Sequence, residues 1–155
     1  MTLLHVNDQY HEVEASDYDS LADVLHERLH MHGTRVSCAE GECGCCTVLM
    51  DGVPATACLV LARQAEGRSI TTIEGLGTSG NLHPIQQAFI DEHGFQCAYC
   101  TSGFIMAAAH LLEHNLNPTT EEVAEGLSGN ICRCGAYPFI IQAVLTAAER
   151  MRKQQ

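Results

Sequence analysis

The apolar positions of this chain change their period near its middle. Before Ile73 they come in short alternating or β-branched runs; after Pro84 they recur at spacings of three and four. Leu4 and Val6 before Asn7-Asp8, followed by Tyr10 to Val13, predict a hairpin, although its turn lacks a glycine. Ser20 is placed to cap a helix whose apolar stripe is Leu21, Val24, Leu25 and Leu29. TVLM and VPATACLV flank Asp51-Gly52, a two-residue hairpin signal, and SITTI supplies a closing strand.

The stretch EGLGTSGN holds three glycines and one long apolar side chain, Leu76, and so predicts a connector between two units. The expected domains are residues 1–75 and 76–155. In the second, Pro84 opens a helix carrying Ile85, Ala88 and Phe89 that stops at Gly94, and another follows Cys100 through Phe104 to Leu112. Thr119 with Glu122 forms a capping box for a third helix with Val123 and Leu127. Pro138 opens a fourth, with Ile141, Val144, Leu145 and Ala148 on one face. Short connections predict a small four-helix bundle, hence an α+β chain.

Charge narrows the partners. With 19 acidic against 8 basic residues the net charge is −11, which argues against nucleic acid or anionic lipid. The run FIMAAAHLL is about half the length of a spanning helix, so membrane insertion is not expected. The opening MTLLHVNDQYHEVE lacks the pattern of a secretory signal, and a cytoplasmic location is expected. In that reducing compartment nine cysteines, all between Cys38 and Cys134, read as metal ligands rather than disulfides.

Cys38, Cys43, Cys46 and Cys58 stand at C-x4-C-x2-C-x11-C, the plant-type arrangement for a 2Fe-2S cluster. Gly41 and Gly44 let the backbone approach closely there, and Cys58 is expected on the far strand of the Asp51-Gly52 hairpin. Substituting Cys45 for Cys46 breaks the spacing, so Cys45 is the ninth, non-ligating thiol, a small packed residue rather than a reactive one. Cys97, Cys100, Cys132 and Cys134 form a second tetrad, C-x2-C-x31-C-x1-C. Its spacing suits a cluster or a structural zinc equally. Cys97 and Cys100 precede a predicted helix whose N-terminus favours negative charge, while Cys132 and Cys134 must lie in a loop, because residues two apart on a helix diverge.

Other groups carry less. A Rieske centre needs histidine ligands, and no histidine lies within two residues of a cysteine. His26, His30 and His32 read as polar residues at a helix end, Glu40 and Glu42 as a solvated edge, and MAAAHLL as core. Neither a P-loop nor a nucleophile elbow is present, so this chain alone is not expected to bind nucleotide or flavin.

CAEGECGCCTVLMDG, LHPIQQAF, QCAYCTSGF and GNICRC, in this order, resemble the small iron-sulfur subunit of the molybdenum hydroxylase (xanthine dehydrogenase and aldehyde oxidoreductase) family over nearly the whole chain. The resemblance implies an N-terminal β-grasp, plant-type ferredoxin-like domain and a helical C-terminal domain, each with one 2Fe-2S cluster, and so moves the second tetrad from zinc to iron. It implies a large partner subunit holding molybdopterin, which hydroxylates the substrate, and a medium subunit holding FAD, with this chain relaying electrons between them. It places the Cys97, Cys100, Cys132 and Cys134 cluster nearest the pterin, and gives Gln96 and Cys134 contacts to it. The chain departs from the usual pattern at Cys45 (alanine or serine), Ser102 (proline) and Gly135-Ala136 (threonine-glycine). The rival readings are a freestanding ferredoxin-like shuttle, and a one-cluster protein with structural zinc.

Overall fold

The computed structural model describes residues 1–154. Strands β1 (Thr2–Val6) and β2 (Gln9–Val13) pair antiparallel across Asn7-Asp8. Both turn residues have positive φ, 50° and 61°, which asparagine and aspartate tolerate and which gives a turn matched to strand twist without glycine. Strands β3 (Thr47–Met50) and β4 (Val53–Thr56) form the second hairpin around Asp51-Gly52. The short β5 (Ser69–Thr71) lies between them, parallel to β1 and antiparallel to β3, giving the order β2-β1-β5-β3-β4. Leu4, Val6, Val48 and Ile70 project from the sheet into one apolar cluster with Leu21, Val24 and Leu25.

Ser20 caps the following helix, its Oγ accepting from Asp23 N, but only Leu21–Asp23 (α1) is α-helical. The chain then widens into a π-helical turn over Val24–Arg28, closed by Leu29 N to Val24 O, and His30 at φ 54° ends it. Leu29 therefore packs only partly against the core. The predicted run VPATACLV is also shorter as a strand: β4 stops at Thr56, and Ala57–Leu59 is a 3₁₀ turn. Cys58 sits in that turn and not on the strand, because its amide is directed to Cys46 Sγ rather than into the sheet ladder.

The chain passes through a short α2 (Ile73–Leu76) into a second apolar cluster, built by α3 (Pro84–Asp91), α4 (Thr101–His114), α5 (Thr120–Gly126) and α6 (Tyr137–Lys153). The capping box at Thr119 and Glu122 is formed. A second one uses His83, whose Nδ1 accepts from Ile85 N while Gln86 Oε1 accepts from His83 N. Histidine is an uncommon cap and carries no sequence signal. On α6 the buried residues are Ile140, Ala143, Val144, Ala147 and Ala148, so Ile141 and Leu145 of the expected stripe are only partly covered. The buried face, which carries the small residues Ala143 and Ala147, is thus rotated from the expected stripe on a helix that packs closely against α3.

Helix α4 also packs on β3, and this contact brings the two clusters together. Gly103, near its start, lies so close to the loop before β3 that a Cβ would stand 2.1 Å from Gly44 O. No helix among the described residues is long and apolar enough to cross a membrane.

Candidate metal centres

The two cysteine loops are built alike. In each, the residue after the first cysteine is an alanine in the left-handed region: Ala39 at φ 56°, Ala98 at φ 61°. A non-glycine residue there costs about 1–2 kcal/mol. The strain turns the next amide inward, so that Glu40 N donates to Cys38 Sγ at 3.4 Å and the Tyr99 amide donates to Cys97 sulfur. Cys43 N also donates to Cys38 Sγ (3.4 Å), Cys58 N to Cys46 Sγ (3.5 Å) and Ala136 N to Cys132 Sγ (3.5 Å). Glycines at positive φ, Gly41, Gly44 and Gly135, complete both loops. Such concave amide arrays stabilise negative sulfur.

Within each set the thiols influence one another: Cys38 with Cys43, Cys46 with Cys58 and Cys43, Cys97 with Cys134, and Cys100 with Cys132 and Cys97. Among the described residues neither tetrad gathers three sulfurs within 4.8 Å of one another.

Thiolate character differs within each set. The Glu40 and then the Cys43 amide bring Cys38 down to about 7. Cys97 is lowered by the Tyr99 amide and then by Cys134, and at Cys132 burial, the largest influence, is outweighed only by the Ala136 amide, Cys100 and the Cys134 and Gly135 amides together. Burial pushes Cys46 and Cys100 up to about 12. Cys38, Cys97 and Cys132 are thus shifted toward the thiolate, whereas Cys46 and Cys100 must lose their protons to a metal.

Each ligand candidate has a defined place. Cys46 is buried in the sheet-side core, with Cys58 packed beside it, while Cys43 and Cys45 lie against the helical core, so the loop threads between the two. Cys100 caps α4 and is buried; Cys97, exposed, follows the exposed Gln96. Cys132 and Cys134 lie in the loop between α5 and α6. Cys45 is buried, its thiol pushed up to about 12 by burial and then by Cys43. It also feels Cys100, so it lies between the two sets. It stays protonated, the inert behaviour expected of a packed thiol.

Several partners of the site have no sequence signal. Buried Asn130 donates from Nδ2 to Gly44 O (2.8 Å), tying the second loop to the first across 86 residues. Ile131 N donates to Cys43 O (3.0 Å), so a single hydrogen bond connects the backbone of one ligand loop to the residue before Cys132 in the other. Tyr99 Oη donates to Val36 O (2.8 Å) beneath the Arg35 guanidinium, which itself bonds Ala98 O. Directly after Cys100, the hydroxyls of Thr101 and Ser102 are buried without a protein partner. Two unspent O–H donors beside a ligand fit a cluster, whose sulfides accept hydrogen bonds.

Two sets of four thiols, one reaching into the sheet half and one in the helical half, joined by a direct backbone bond, suit an iron–sulfur electron carrier. Two domain families match the chain: "2Fe-2S iron-sulfur cluster binding domain" over residues 5–93 and "[2Fe-2S] binding domain" over residues 72–145. The nicotine 6-hydroxylase small subunit of Paenarthrobacter nicotinovorans is 47% identical over 144 residues, 93% of this chain and 87% of the relative. A nicotinate dehydrogenase subunit of Pseudomonas putida is 47% identical over 150 residues, 97% of this chain and 96% of its own. Among solved structures, quinoline 2-oxidoreductase from Pseudomonas putida 86 superposes with a TM-score of 0.93 at 40% identity, covering 98% of this chain and 95% of the other. The aldehyde oxidoreductase of Desulfovibrio desulfuricans superposes at 0.94 with 39% identity, covering 99% of this chain but 17% of that longer one. The chain belongs to the family of 2Fe-2S small subunits of molybdenum hydroxylases. It serves electron transfer within a multi-subunit oxidoreductase, and the freestanding-shuttle and zinc readings are not favoured.

Proposed function

We propose that Cys38, Cys43, Cys46 and Cys58 hold one 2Fe-2S cluster and Cys97, Cys100, Cys132 and Cys134 the other. Cys45 ligates neither. Residues 1–75 form the plant-type ferredoxin-like, β-grasp unit and residues 76–155 the helical bundle unit. Each cluster, when bound, accepts and releases one electron. The chain's own residues hold the clusters at fixed separation, donate amides to their sulfurs and exclude water between them.

The surface supports this reading of the partners. Around the second set, Tyr99, Ile131, Tyr137 and Phe139 are about half exposed, an apolar rim on an otherwise acidic chain. Such a rim suits a covered interface with the large, molybdopterin-holding subunit. There Gln96 and Cys134 face the pterin. Leu59 and Leu61, exposed beside Cys58, lie toward the acceptor, an FAD-holding medium subunit. The complex works in the cytoplasm, and its substrate is selected by the large subunit.

The observation that carries this reading is the Ile131 N to Cys43 O bond between the two ligand loops. It supplies a covalent and hydrogen-bonded route from one set of sulfurs to the other through three residues, Cys43, Ile131 and Cys132. The test is to isolate the complex with Cys100→Ala in this chain and add substrate anaerobically. Reduction of molybdenum should persist while reduction of flavin stops. Flavin reduction at the wild-type rate would reject the relay.

A further inference from the structure

Away from both thiol sets, α4 carries the pattern His110-x-x-Glu113-His114. Residues three and four apart share one face of a helix. These side chains are the trio among the described residues whose candidate ligand atoms all lie within 4.8 Å of one another. The imidazole centroids of His110 and His114 are 4.5 Å apart.

Both rings are held by backbone carbonyls. His110 Nδ1 is 2.9 Å from Gly52 O, at the tip of the β3–β4 hairpin, and His114 Nδ1 is 2.9 Å from His110 O. A carbonyl oxygen only accepts, so each Nδ1 carries the proton and each Nε2 keeps its lone pair. Fixing the tautomer through an Nδ1–H to carbonyl bond is what prepares histidine to ligate through Nε2. His26, His30 and His32 also lie near one another, but His26 faces Glu27 and Thr34 O, and these three do not come within that mutual range.

We propose that His110, Glu113 and His114 form a divalent transition-metal site, with Zn²⁺ as its natural occupant and water in the fourth position. Two imidazoles and one carboxylate suit zinc, nickel and copper and not the hard cations calcium and magnesium. Tetrahedral zinc needs its donors about 3.4 Å apart, which partly exposed side chains reach by small χ rotations. Because His110 also grips the hairpin joining Cys46 to Cys58, and α4 begins directly after Cys100, the metal fixes the ring that ties the two halves of the chain together.

The test uses untagged, iron-loaded protein prepared anaerobically and titrated with Zn²⁺ by calorimetry, with iron content followed throughout. One zinc should bind per chain without loss of iron and raise the melting temperature. Copper should bind more tightly than zinc, and calcium and magnesium should not bind. His114→Ala, which leaves the Gly52 contact intact, and His110→Ala should each weaken zinc binding by about tenfold or more. Glu113→Gln should weaken it less, and the double substitution His26→Ala/His32→Ala not at all. All variants should keep the iron content of the wild type. Absence of saturable binding, equal binding in His114→Ala, loss of binding in His26→Ala/His32→Ala, or zinc uptake matched by iron loss would each overturn the assignment.

Discussion

Replacing Gly103 by alanine should reverse the usual sign of a helix glycine substitution. In an ordinary helix interior, alanine is more favourable than glycine by about 1 kcal/mol. At Gly103 the new Cβ would stand 2.1 Å from Gly44 O and 3.0 Å from Asn130 Nδ2, so either α4 or the first cysteine loop must move. Overpacking of this kind costs about 1–3 kcal/mol. Disturbing the buried Asn130 to Gly44 bond costs about 1–3 kcal/mol more. Subtracting the propensity gain leaves a net loss of about 1–5 kcal/mol, at roughly 2–4 °C of melting temperature per kcal/mol for a chain of this size. Gly126→Ala is the control, since the atoms nearest its Cβ would be side-chain carbons of Leu111, at 3.2 and 3.3 Å, which can yield by rotation. That variant should melt at or slightly above the wild-type temperature. Anaerobic calorimetry at one scan rate compares the three proteins, because cluster loss makes unfolding irreversible. A Gly103→Ala protein as stable as the wild type would refute the close backbone junction.

Further outcomes are expected. Cys45→Ala should keep both reduced-state EPR signals, whereas Cys43→Ala and Cys100→Ala should each lose a different one. Thr119→Ala removes the oxygen that accepts from Glu122 N and should cost about 1 kcal/mol in the same melting assay. His83 gives a pH dependence: burial lowers its pKa below the ordinary 6.5, so the unfolded chain binds the extra proton first. Stability from this group is complete above 6.5 and is lost as pH falls through the lower, folded value. His83→Asn, which can still cap α3, should flatten the melting temperature between about pH 7.5 and 5.5; an unchanged slope would clear His83 of the effect.

Much of the fold is legible in the sequence because its cues are local. Asp51-Gly52, Thr119 with Glu122, and Pro84 each act within a few residues, and the elements they predict form. Departures arise where tertiary demands prevail. VPATACLV stops being a strand at Thr56 because Cys58 must direct its amide to a sulfur. The helix after Ser20 widens into a π turn, and the buried face of α6 is centred on Ala143 and Ala147 rather than Ile141 and Leu145. The candidate ligands are legible from spacing alone, whereas their supports are not. Asn130 reaches Gly44 across 86 residues, and nothing local marks that pairing. His110 is hidden in an apolar run that reads as core; only the folded hairpin brings Gly52 O to it.

The most direct measurement is a count of iron, acid-labile sulfide and zinc on the anaerobically prepared chain, together with EPR of its reduced form. Two sets of four thiols predict about four irons and four sulfides per chain, with two distinguishable signals. Two irons with a zinc held by Cys97, Cys100, Cys132 and Cys134, or a single signal at full reduction, would contradict the account.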